Sequence, residues 1–147
     1  MELSMQASLL NVRDLDRSIE FYRDVFDFGE AARSDQAAAL MINDSDRRQV
    51  LVLRAPLGLR SPHAGRGGIG PRLLALEAGS PAELRLIEER LVARGALLGR
   101  GRTPTWEVIV GEDPDHIAFS ISSSLTGMPI RREDWDHLDE MVYSVAE

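Results

Sequence analysis

One plan occurs twice in this chain, and that repetition constrains the fold more than any other feature of the sequence. The first copy opens with a strand pattern, Ala7-Ser8-Leu9-Leu10-Asn11-Val12-Arg13, and a turn at Asp14-Leu15-Asp16. A helix follows whose apolar positions are Leu15, Ile19, Tyr22 and Phe26, and spacings of four, three and four put them on one face. Asp14 and Asp16 suit the electropositive start of that helix, and Gly29 suits its end. The second copy opens with Arg72-Leu73-Leu74-Ala75-Leu76-Glu77-Ala78. Ser80-Pro81-Ala82-Glu83 is a capping box with proline at the first helical position. Leu84, Ile87 and Leu91 give the buried stripe, and Gly95 closes the helix.

Three strand patterns follow each helix. They cover 30–33, 36–42 and 48–54 in the first copy, and 96–101, 105–110 and 115–122 in the second. Each copy therefore reads as βαβββ. The Gly-, Pro- and Arg-rich stretch from about 55 to 70 reads as a linker between module one (about 5–54) and module two (about 71–123). In the tail, 124–147, Trp135, Leu138 and Val142 recur at helical spacing; this stretch either packs on the domain or contacts a partner subunit, and packing is the plainer role.

Composition removes several chemistries. All 17 basic residues are arginine, so lysine Schiff-base and lysine general-base mechanisms are out. The chain has no cysteine, which excludes disulfides, thiolate nucleophiles and cysteine metal sites. A net charge of −7 opposes nucleic-acid binding, where phosphate contacts need clustered cations. No run reaches the roughly 18 apolar residues of a membrane helix. Met1-Glu2-Leu3-Ser4 lacks the basic flank and apolar stretch of a secretory leader, so the expected location is the cytoplasm.

The run Leu10-Asn11-Val12-Arg13-Asp14-Leu15-Asp16-Arg17-Ser18-Ile19-Glu20-Phe21-Tyr22 resembles the opening strand and first helix of the vicinal-oxygen-chelate superfamily, which holds glyoxalases, extradiol dioxygenases and bleomycin-resistance proteins. Val25-Phe26-Asp27-Phe28-Gly29 is similar to the usual end of that helix. Asp113-Pro114-Asp115 resembles the Asp-Pro-Asp-Gly-Asn turn before the last strand, although here the Gly-Asn is missing. The resemblance runs from about residue 5 to 123. It implies an α+β fold with two βαβββ modules forming a curved mixed sheet around a central cavity, helices on the outer face, and one domain over 1–147.

Metal-dependent relatives hold a divalent cation with His, Gln and Glu side chains on cavity-facing strands. Carried over residue by residue, the first-strand ligand falls on Ala7 and the fifth-strand ligand on Leu73, or on Arg72 one register away. The last-strand glutamate falls on Ala118 or Ser120. Alkyl groups have no lone pairs, arginine stays protonated, and a neutral hydroxyl replaces a carboxylate poorly. Neither His63 in the linker nor His137 in the tail restores the set. The expectation is no metal and no cofactor.

Strand alternation divides the remaining residues between two faces. Ile117, Phe119 and Ile121 form a core row, which sends His116, Ala118 and Ser120 to the cavity side. By the same rule Leu10 and Val12 face the core, while Ala7, Leu9 and Asn11, and Leu73, Ala75 and Glu77, face the cavity. Asn11, Glu77, His116 and Ser120 are then the polar points of a mostly small and apolar surface, the usual make-up of a small-molecule pocket. Each also has a plainer role: Asn11 and Ser120 bonding nearby backbone, Glu77 solvated or pairing with an arginine, His116 as a turn residue. Trp106 either stacks on a planar ligand or fills the core, and core filling is the safer assignment. Asp113 and Asp115 belong to the turn.

The resemblance thus implies a metal-independent homodimer that binds a small, largely apolar organic molecule, as the bleomycin-resistance branch does. The alternative is a metal-independent lyase or isomerase with His116 as acid or base and Glu77 as its partner. A third reading, an enzyme with a metal on Glu77, His116 and Glu107, ranks last.

Overall fold

The computed structural model describes residues 1, 3, 6–42, 49–55 and 73–128. Along them run β1 (Ala7–Asn11), α1 (Leu15–Phe26), β2 (Gly29–Arg33), β3 (Ala37–Ile42), β4 (Gln49–Arg54), β5 (Leu74–Glu77), α2 (Pro81–Ala93), β6 (Leu97–Arg102), β7 (Trp106–Glu112) and β8 (Ala118–Ser124). The repeated βαβββ plan is present in full. His63, Arg72, His137, nearly all of the linker and the tail residues Trp135, Leu138 and Val142 lie outside the described residues.

Both helices start where a side chain supplies the hydrogen bonds that a first turn lacks. The Asp14 carboxylate accepts the Arg17 N–H at 3.1 Å, and the Ser80 hydroxyl accepts the Glu83 N–H at 3.2 Å. Ser80 also donates to the Glu83 carboxylate at 3.3 Å, so the capping box closes between side chains. The two helices end differently. Gly95 takes the left-handed conformation after α2 at φ 64°, as its sequence position predicts. After α1 that conformation belongs to Asp27 at φ 58°, whose N–H donates to the Arg23 carbonyl. Gly29 instead opens β2, a correction to its predicted capping role.

The chain divides into two compact units, Met1–His63 and Ala64–Glu147. In the first unit the strand order is β1-β4-β3-β2, with β1 parallel to β4 and the other pairs antiparallel. The second unit repeats it as β5-β8-β7-β6, with β5 parallel to β8. Each helix packs on one face of its own sheet. Under α1, the side chains of Leu15, Ile19, Tyr22 and Val25 meet Ala38, Leu40, Leu51 and Leu53, all buried. Phe21, Tyr22, Phe26 and Phe28 stack or meet edge-on with centroids 5.4–6.3 Å apart. The helix α2 buries only Leu84 and Leu91, above Ile109, Phe119 and Ile121. A fully buried Leu or Phe contributes roughly 1.5–3 kcal/mol, so these layers hold each unit together.

The last strand begins later than expected, at Ala118 rather than Asp115. The cause is Asp113, whose Oδ1 accepts the N–H groups of Asp115 at 2.8 Å and Ile117 at 2.9 Å. Those N–H groups serve the turn and are lost to the ladder. The first strand likewise stops at Asn11, and β5 is confined to Leu74–Glu77.

Candidate functional site

The sheet face away from the helix is partly open in unit one, whereas in unit two it is buried along β7 and β8 and exposed only at the β5 edge, at Ala75 and Glu77. On β1 the burial alternates, with Ala7, Leu9 and Asn11 exposed and Ser8 and Leu10 half-buried. The ladder places Val50, Val52 and Arg54 of β4 beside them, and Ala37, Ala39 and Met41 of β3 beyond. Unit one thus presents a partly exposed apolar face, with Leu9 at 65% exposure and Asn11 and Arg54 at one end.

In unit two, Ala75 pairs with Ser120 and Glu77 with Ser122, and both pairs share their face with Val108, Val110 and Trp106. Ala118 and Ser120 lie on this face, and Phe119 and Ile121 lie on the helix side, as alternation predicts. The hydroxyl of Ser120 makes no hydrogen bond among the described residues, although the residue is only 9% exposed. Neither do the side chains of Asn11 and Glu77 among those residues; both are exposed, so Glu77 is solvated, which is the plainer of its expected roles. Trp106 is 1% exposed and therefore fills space as a buried side chain.

His116 stands apart from the strands. It occupies the β7–β8 turn at φ 63°, and its Nδ1 lies 3.0 Å from Glu112 Oε1. Its carboxylate partner is therefore Glu112. Glu77 lies beside Ser122, four residues further along β8 than Ala118, which is roughly 13 Å at strand rise. The sequence offered no signal for Glu112, because the pair depends on the left-handed turn at His116. Glu107 pairs in register with Ser123 on the helix side and bonds Arg102 at 3.3 Å. It faces away from Glu77, which removes it from the metal set that the third reading required.

The resemblance implies a divalent cation, and the residues present do not fit one. The described positions that correspond to its ligands offer the alkyl groups of Ala7, Leu73 and Ala118 or the hydroxyl of Ser120. That set carries no imidazole, no carboxylate and one neutral oxygen at most. Among the described residues no three His, Asp or Glu side chains converge. Asp113 and Asp115 serve the turn, as the sequence suggested, because both oxygen-to-amide bonds of Asp113 are spent on backbone.

A family model described as the glyoxalase/bleomycin resistance protein/dioxygenase superfamily matches residues 5–121. Among solved structures, a glyoxylase/bleomycin resistance protein/dioxygenase domain from Frankia sp. EAN1pec is 26% identical with a TM-score of 0.74, over 87% of this chain and 96% of that one. A lactoylglutathione lyase from Agrobacterium tumefaciens is 22% identical with a TM-score of 0.63, over 82% and 92%. The fosfomycin resistance protein FosX from Listeria monocytogenes is 17% identical with a TM-score of 0.61, over 91% and 97%. The likeness to these last two is one of fold. No curated protein sequence matches the chain.

Proposed function

The chain belongs to the glyoxalase/bleomycin resistance protein/dioxygenase superfamily, and from that premise we propose that it binds a small, largely apolar organic molecule on the sheet faces turned away from its helices, without a metal. The observation that carries this reading is the chemistry of those faces. Alkyl groups stand where the resemblance puts ligands: Ala7 beside the exposed Leu9 and the half-buried Val50 and Val52 of unit one, and Ala118 among the buried Val108 and Val110 of unit two. Such a surface favours transfer of apolar area from water and gives a hard cation nothing to hold. Asn11, Glu77, Ser120 and His116 are the polar points that would orient the ligand. In this proposal residues 1–147 act as one domain, the working form is a cytoplasmic homodimer, and neither nucleic acid nor a membrane is a partner. No described helix is long and apolar enough to cross a membrane.

A second reading, a metal-independent lyase or isomerase, is favoured by the carboxylate contact on His116. A binder loses affinity gradually as pocket residues change, whereas an acid–base enzyme loses turnover sharply in His116→Gly while retaining its ligand.

The test is a thermal-shift screen of small apolar organic molecules against the full chain, run with excess chelator and again with added Mn²⁺. Stabilisation by a molecule that is indifferent to chelator is the expected result. Stabilisation that needs the added cation contradicts the reading.

A further inference from the structure

The geometry points to a second small-molecule site in unit two, a crevice between α2 and β6 that takes an aromatic carboxylate. It lies on the helix side of the sheet, because Glu107 and Ile109, which line it, alternate with the residues turned away from the helix. The site therefore stands or falls independently of the binding reading above. Its volume is about 450 Å³, the size of a small-molecule pocket. From α2 come Arg85 and Glu88, three residues apart on one helical face. From β6 come Arg100 and Arg102, two residues apart on one face of the strand.

Charge selects an anion. Glu88 pairs with Arg100, and Glu107 pairs with Arg102 at 3.3 Å. Arg85 makes no ion pair or hydrogen bond among the described residues. The crevice thus keeps one uncompensated positive charge, on a chain whose net charge is −7. A guanidinium presents a rigid fork of N–H donors, which a carboxylate matches with two parallel bonds. Shape selects a flat ring. Leu84 and Ile109 line the crevice but are buried, so a ligand touches mainly the arginine side chains. Arg100 and Arg102 spend N–H groups at their edges on the two glutamates, yet their side chains are 65% and 69% exposed, against 22% and 24% for their partners. What they offer a ligand is planar faces and aliphatic stems, and guanidinium faces stack on aromatic rings. Arg85 supplies the donor edge, and β6 supplies the faces.

The experiment titrates benzoate, benzyl alcohol and acetate into the full chain and follows backbone amide and arginine Nε–H shifts. Benzoate carries both charge and ring, whereas benzyl alcohol keeps only the ring and acetate only the charge. The expected result is benzoate binding with shifts at Arg85, Arg100 and Arg102, roughly three- to tenfold tighter than either other probe, the range of a hydrogen-bonded ion pair at an exposed rim. The preference over benzyl alcohol disappears in Arg85→Gln, a change that an exposed helix position tolerates. Arg17→Gln removes the same charge from the exposed side of α1 in unit one and leaves the preference unchanged. Benzoate that leaves the three arginines unmoved overturns the site. So does equal affinity for benzoate and benzyl alcohol, a preference that survives Arg85→Gln, or one that Arg17→Gln also removes. Acetate binding as tightly as benzoate overturns the stacking and with it the aromatic class of ligand.

Discussion

Replacing Asp113 tests whether the acidic turn before β8 is structure or chemistry. The side chain is 3% exposed, and its Oδ1 accepts two backbone N–H groups, from Asp115 at 2.8 Å and from Ile117 at 2.9 Å. A hydrogen bond to a charged group is worth about 1.5–3 kcal/mol. Asp113→Ala removes both bonds, but Asp115 and Ile117 are only half-buried, so water recovers part of the loss. The net cost expected is about 2–4 kcal/mol. For a chain of this size that lowers the thermal midpoint by roughly 4–16 °C. Asp113→Asn keeps an oxygen in the same place and forfeits only the charge, so it costs about 1 kcal/mol or less. Urea unfolding at 25 °C gives the free energies, and stabilisation by the apolar molecules of the thermal-shift screen is measured on the same samples. A catalytic or ligand-binding carboxylate would show the opposite pattern, with Asp113→Asn fully folded and its binding abolished. Asp113→Ala within about 0.5 kcal/mol of the natural chain would refute the structural reasoning outright.

Ser123→Ala is expected to raise stability by about 1 kcal/mol in the same unfolding assay, because its hydroxyl is buried on the helix side without a hydrogen-bond partner among the described residues. Gly111→Ala should lower it by about 1–3 kcal/mol, since a Cβ there would sit 2.7 Å and 2.8 Å from ring carbons of the fully buried Phe119 and 2.9 Å from the Ala96 carbonyl oxygen. Ser80→Ala removes the α2 cap and should cost about 1 kcal/mol, with Ser80→Asn restoring most of it.

The parts of the fold governed by short-range rules were legible in the sequence. Asp14 and Ser80 cap their helices because a cap needs only an oxygen three residues before the amide it serves. Alternation along β1 and β8 assigned Asn11, Ala118 and Ser120 to the faces turned away from the helices because the side-chain period of a strand is fixed. What was illegible depended on backbone dihedrals that several residue types adopt. Asp27 rather than Gly29 takes the left-handed position after α1, since aspartate tolerates that conformation. His116 does the same in the last turn, and only that turn brings its ring to Glu112 instead of Glu77. The facing of Glu107 and Trp106 was open in the sequence because it depends on the register of β7 with β8, which the sequence of β7 alone does not determine.

The central claim is that the superfamily's ligand positions here hold no cation and that the faces around them serve an organic molecule instead. Elemental analysis of the purified chain, with thermal melts in the presence and absence of chelator, tests it most directly. The account predicts substoichiometric metal and superimposable melts. One bound divalent cation per chain, with a melting point that falls on chelation and recovers when the cation is returned, would contradict it.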